Sequence, residues 1–86
     1  MAEYKVIIKP SASKELDALG TRQDRHRIVQ RIRALAGDPR PYGSQKLSGA
    51  EKYRVRCGIF RIVYLIYDGA RTVEIIKVGH RRDVYR

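Results

Sequence analysis

Residues 52–80 read KYRVRCGIFRIVYLIYDGARTVEIIKVGH, and the fold turns on how this stretch is divided. In KYRVRC (52–57), Tyr53, Val55 and Cys57 alternate with Arg54 and Arg56. That period of two puts one set on each face of a strand. Gly58 then turns the chain into FRIVYLIY (60–67), apolar on both faces except at Arg61, the pattern of a central strand covered on two sides. Asp68-Gly69 is a hairpin signal, and RTVEIIKV (71–78) is the returning strand. Three strands joined by tight turns predict antiparallel pairing.

The flanks supply two helices and one more strand. YKVIIK (4–9) alternates Tyr4, Val6 and Ile8 against Lys5, Ile7 and Lys9, which again reads as a strand. Pro10 opens a short helix carrying Ala12, Leu16 and Leu19 at helical spacing, with Gly20 as its stop. Thr21 and Asp24 form an abbreviated capping box for a second helix. Ile28, Ile32 and Leu35 make its buried stripe, and Arg22, Arg25, Arg27, Arg31 and Arg33 fill the remaining arc. Residues 38–50, DPRPYGSQKLSGA, have loop composition. The expected order is β-α-α-β-β-β, an α+β fold with two N-terminal helices packed on a curved antiparallel sheet. The whole chain, 1–86, reads as one domain.

A chain of 86 residues buries only roughly 60% of its unfolded surface, so a partner covering apolar surface would stabilise it. The single cysteine, Cys57, excludes an internal disulfide and offers no zinc spacing, which suits a reducing cytoplasm. No signal peptide is visible, and the longest apolar run, Ile62 to Tyr67, is too short to cross a bilayer. Charge is the loudest bulk property: 19 basic against 9 acidic residues give +10, and 13 of the 19 are Arg. Arginine grips phosphate through a planar fork, so nucleic acid or an acidic protein is the expected partner.

Arg61 concentrates that charge. A guanidinium within an apolar strand is costly unless it is paired or reaches a cleft. Glu74 on a neighbouring strand could pair it, or it could snorkel to the sheet edge. Antiparallel pairing can instead bring Arg54 or Arg56 beside it, and like charges on one face call for a counter-anion such as phosphate. The chain ends KVGHRRDVYR (77–86), which returns His80, Arg81 and Arg82 toward the same end of the sheet and adds the phenol of Tyr85. Lys46 and Lys52 extend the basic surface. Cutting RNA without a metal needs a base for the 2′-OH, a neutraliser for the phosphorane and an acid for the leaving oxygen. Arginine fits the middle task. Proton transfer would fall to His80, ordinarily near about 6.5, or to Tyr85, ordinarily near about 10 and lowered among cations.

The string KLSG…YRVR…FRIVYLI…VGHRRDVYR resembles the RelE/ParE toxin superfamily of bacterial toxin–antitoxin systems over essentially the whole chain. The resemblance implies a compact fold of two helices on a curved sheet. It also implies, for RelE-type members, a ribosome-dependent endoribonuclease that cleaves mRNA by 2′-OH attack without metal or cofactor. By position, Arg61 matches the arginine at the scissile phosphate, Arg81 the arginine after the VG-x element, and Tyr85 the terminal catalytic tyrosine. Arg54 and Arg56 match a pair that is lysine in the best-known members, so the general base must be another residue. The implied partners are a cognate acidic, RelB-like antitoxin with a segment that folds on binding, the ribosome and mRNA. Operator DNA is implied only through the antitoxin complex, and no membrane. Two alternatives stand: a ParE-type inhibitor of DNA gyrase, and a non-catalytic nucleic-acid-binding module or degenerate toxin.

Overall fold

The computed structural model describes residues 3–47 and 49–80. Strand β1 (Lys5–Ile8) leads into α1 (Pro10–Asp17) and α2 (Arg22–Ala34), followed by β2 (Gln45–Leu47), β3 (Lys52–Cys57), β4 (Phe60–Tyr67) and β5 (Thr72–His80). The five strands form one open sheet in the order β1-β5-β4-β3-β2. The α+β class holds, with β4 central as its two-faced apolar pattern requires.

Two particulars differ from the sequence reading. QKL (45–47) is a strand, antiparallel to β3 with Gln45 opposite Arg54, and not part of a loop. Three residues are too few to display a period. And β1 lies parallel to β5, Lys5 opposite Thr72 and Ile8 opposite Ile75, while the other pairings are antiparallel. β1 reaches β5 across most of the chain, so no local turn dictates its direction.

Local chemistry explains the helices. Thr21 Oγ1 accepts from the Asp24 N–H at 3.1 Å, and Asp24 Oδ2 accepts from the Thr21 N–H at 3.0 Å, the reciprocal box expected at the start of α2. Helix α1 ends earlier than expected, at Asp17, and Gly20 sits beyond its cap at φ +42°. There Arg25 Nη1 donates to the carbonyls of Leu19 (3.1 Å) and Gly20 (3.2 Å), closing the turn between the helices.

Both helices cover one face of the sheet. Ala12, Leu16, Ile28, Ile32 and Leu35 share a core with Tyr53, Val55, Ile62, Tyr64, Ile66, Val73, Ile75 and Val78. The last three residues do not obey a simple alternation, and the reason is a bulge. Val63 pairs with Lys77 but Tyr64 pairs with Ile75, leaving Ile76 without an opposite residue. One extra residue re-phases everything after it. Val78 and His80 therefore face the helices, and Gly79 turns to the other side.

The loop between α2 and β2 is held by two anchors. Tyr64 donates its buried hydroxyl to the Pro39 carbonyl at 2.7 Å. Arg40 reaches Tyr53 Oη (3.0 Å), Glu51 Oε1 (2.6 Å) and both Asp68 oxygens (3.2 and 2.8 Å). Its guanidinium also lies 5.2 Å from the Tyr53 ring centroid, within the range of a cation–π contact. Sequence reading missed Arg40. Its position between Pro39 and Pro41, in a loop both prolines stiffen, was the available signal.

Candidate nucleic-acid interface

The face without helices carries the basic row. Arg56 lies directly across from Arg61, and Arg61 directly across from Gly79, so two guanidinium-bearing residues and a residue with no side chain line up over three strands. The hairpin that sets this register is a two-residue turn, Gly58-Ile59, with Gly58 at φ +62°. A positive φ at the first turn position suits glycine and matches the twist of the flanking strands. One step along, Gln45, Arg54, Val63 and Lys77 make the next row; beyond it lie Leu47, Lys52, Leu65 and Glu74.

The side chains differ in exposure. Arg61 is buried, with 6% of its surface accessible, whereas Arg56 is exposed and Arg54 and Lys52 are half-buried. Arg54 donates to the amide oxygen of Gln45 on β2, an interaction that orients it along the face. Glu74 is opposite Leu65 and accepts from the Tyr67 hydroxyl at 3.1 Å, so it is not the cross-strand neighbour of Arg61. Placing two arginines directly opposite is unfavourable by itself. An anion bound between them would reverse the sign of that term.

Two expected members lie elsewhere. His80 was expected beside Arg61. The bulge sends it to the helix side, where its ring meets Phe60 edge-on at 6.1 Å and borders a cavity of about 240 Å³ with Glu15, Leu19 and Lys77. Lys46 pairs with Tyr53 on that same side, and its Nζ is 2.8 Å from Glu51 Oε2. Lys52 shares the basic face but is four residues from Arg56, about 13 Å along the strand. Arg81, Arg82 and Tyr85 lie outside the described residues.

Among the described residues, the two acids that flank β3 and β4 sit at the other end of the sheet, while Asp24 borders the β3–β4 turn. Glu51 precedes β3 and Asp68 follows β4, at the opposite end from Arg61. Lys46 and Arg40 hold the Glu51 carboxyl down at about 2, and Arg40 with Tyr4 does the same for Asp68, also at about 2. Arg40 in turn is raised above its ordinary value, first by Asp68 and then by Tyr53 and Glu51. Glu15 is used at the edge of β5: Oε1 accepts from the Val78 N–H at 3.0 Å and Oε2 lies 3.3 Å from Lys77 Nζ. This covers backbone that β1, ending at Ile8, leaves unpaired. It also takes the Lys77 ammonium toward α1.

Comparison with known proteins gives a consistent result. The sequence model described as "ParE toxin of type II toxin-antitoxin system, parDE" matches residues 6–85. Toxin RelG of Mycobacterium tuberculosis is 34% identical over 77 residues, covering 76% of this chain and 86% of the relative. Among solved structures, the toxin–antitoxin complex RelBE2 of M. tuberculosis has a chain that superposes with TM-score 0.81 at 26% identity, over 93% of this chain and all of that one. The isolated E. coli RelE toxin gives 0.77 at 28% identity, over 95% of this chain and 90% of the other.

Proposed function

Since the chain belongs to the RelE/ParE superfamily of type II toxin–antitoxin toxins, we propose that it is an endoribonuclease that cuts mRNA on the ribosome. The observation that carries this reading is the row Arg56, Arg61, Gly79. A scissile phosphate placed over it would meet two guanidinium groups. Attack of a 2′-OH on that phosphate builds a doubly negative phosphorane, and preorganised cations at that point lower the barrier. Arginine stays protonated throughout, so it stabilises charge but transfers no proton. Tyr85, carried over from the family pattern, is assigned the proton transfer, with Arg81 as a further phosphate contact. His80, on the other side of the sheet, is assigned none.

The partner is an antitoxin. The solved relatives include RelB–RelE complexes, and with 19 basic against 9 acidic residues this chain suits an acidic segment that folds as it binds. The deciding experiment adds purified protein to a translation extract and maps transcript ends. Cuts within translated codons, absent with Arg61→Ala, support the nuclease. Intact transcripts reject it. A second reading, gyrase inhibition, is favoured by the match to the ParE description over residues 6–85. A supercoiling assay showing inhibition at low protein concentration would put it first.

A further inference from the structure

The hairpin that fixes the Arg56–Arg61 register ends against α2. Cys57 pairs with Phe60, and Gly58-Ile59 closes the turn between them. Between this turn and the first two turns of α2 lies a cavity of about 290 Å³, bordered by Asp24, Arg27, Cys57, Gly58, Ile59 and Phe60. Its sheet side is apolar. Phe60 is buried, Ile59 keeps 54% of its surface exposed, and burial pushes the Cys57 thiol up, so that it stays neutral. Its helix side is polar. Asp24 and Arg27 stand three residues apart on α2, hence on one face of the helix. The capping box uses only Oδ2 of the Asp24 carboxylate, and the bonds from Thr21 hold this group below its ordinary range, so it is an acceptor. Arg27 is exposed and forms no ion pair among the described residues.

We infer that this cavity is a base-binding subsite for the RNA strand held on the arginine row, with Asp24 and Arg27 reading the edge of one nucleobase. The inference rests on the nuclease reading above and says where the strand goes next. Cys57–Phe60 follows Arg56–Arg61 by one residue pair, about 3.4 Å along the strands. Successive phosphates of one nucleic-acid strand are spaced by about the same axial distance. A phosphate on the row therefore puts the adjoining nucleotide at the turn. Gly58 is exposed and a Cβ there would meet nothing within 4 Å, so the way round the turn from the outer sheet face is open. A carboxylate accepts from an exocyclic amino group, and a guanidinium donates to a ring nitrogen or a carbonyl oxygen. Adenine, cytosine and guanine carry an amino group; uracil does not. An acidic peptide is the poorer occupant, because Asp24 in the wall repels it.

The test uses the full chain and two readouts. In the first, each of the four nucleoside 5′-monophosphates, which contain no linkage to cut, is titrated into isotope-labelled protein. The backbone amides of Asp24, Arg27, Cys57 and Ile59 should shift, and the uridine nucleotide should bind at least ~5-fold more weakly than the other three. In the second, transcript ends are mapped in a translation extract, and uracil should be depleted at one position beside the cut. Asp24→Asn keeps an oxygen for the Thr21 N–H, so the cap survives. Its added amide donor should lift the discrimination against uracil in both readouts. Arg27→Gln and Ile59→Ser, at exposed positions, should weaken nucleotide binding roughly 3- to 10-fold and leave the melting temperature nearly unchanged. Equal affinities for the four nucleotides, shifts confined to Arg56 and Arg61, or cavity shifts with poly-glutamate but not with nucleotides would overturn the inference. Base-dependent shifts without any cutting would reject the nuclease and leave a nucleotide-binding cavity. Cutting with no base bias and no shift at the cavity would reject the cavity and leave the nuclease.

Discussion

At Arg56 the demands of stability and of function oppose each other. The residue is exposed and pairs directly across the strands with Arg61. Arg56→Gln should raise stability by a few tenths to about 1 kcal/mol by removing like-charge repulsion. The same change should lower transcript cutting at least ~10-fold. Thermal melting and end-mapping on one preparation would check both signs. His80→Gln should cut at a rate near wild type, because the ring packs on Phe60 behind the sheet; a loss of about 100-fold would return His80 to the mechanism. Gly20 makes a different kind of prediction. Its φ of +42° and a Cβ that would come 2.5 Å from Asp24 Oδ2 and 3.1 Å from Phe60 Cζ leave no place for alanine. Gly20→Ala should cost about 1–2 kcal/mol through backbone strain and a disturbed cap, measured by denaturant unfolding.

At the scale of elements, the loop from 38 to 44 and β2 depend on contacts far away in sequence. Tyr64→Phe keeps the ring stacked 6.0 Å from Tyr53 but strands the Pro39 carbonyl. That should cost about 1–3 kcal/mol, since a buried acceptor is left unsatisfied. The Arg40 cluster adds a pH dependence. Glu51 and Asp68 titrate at about 2 in the fold, below the roughly 4 of an unfolded carboxyl. The unfolded chain therefore binds more protons between these values, and stability falls as pH drops through that window. Above about pH 5 the contribution is complete. Arg40→Met should flatten the stability profile between pH 5 and 2, as followed by circular dichroism. A profile unchanged in steepness would mean that the cluster is not coupled to folding.

For the whole molecule, the relevant quantity is the distribution of a large positive charge over two faces. Among the described residues, Arg40 gathers Glu51 and Asp68 at one end of the sheet, and Lys77 pairs with Glu15 at its edge. A polyanionic partner bound at a hundred times its dissociation constant would add about 2.7 kcal/mol of stability. Co-purified antitoxin should accordingly raise the melting temperature, and the gain should shrink with salt.

Much of this was legible in the chain. The spans of β3 and β4, the capping box at Thr21 and Asp24, and the meeting of a β3 arginine, Arg54 or Arg56, with Arg61 all follow from local rules; the register then selects Arg56. Those rules are alternation, side-chain capping and the register that a two-residue turn imposes. Three features were not legible. QKL (45–47) is too short to show a period, the parallel partner of β1 is set by chain distant in sequence, and the extra residue at Ile76 breaks the alternation that local reading assumes. Only the tertiary structure decided that His80 lies behind the sheet and Gly79 beneath the arginine row. The physical reason is that a bulge is chosen by what packs on both sides of a strand, and that information is not carried by the strand itself.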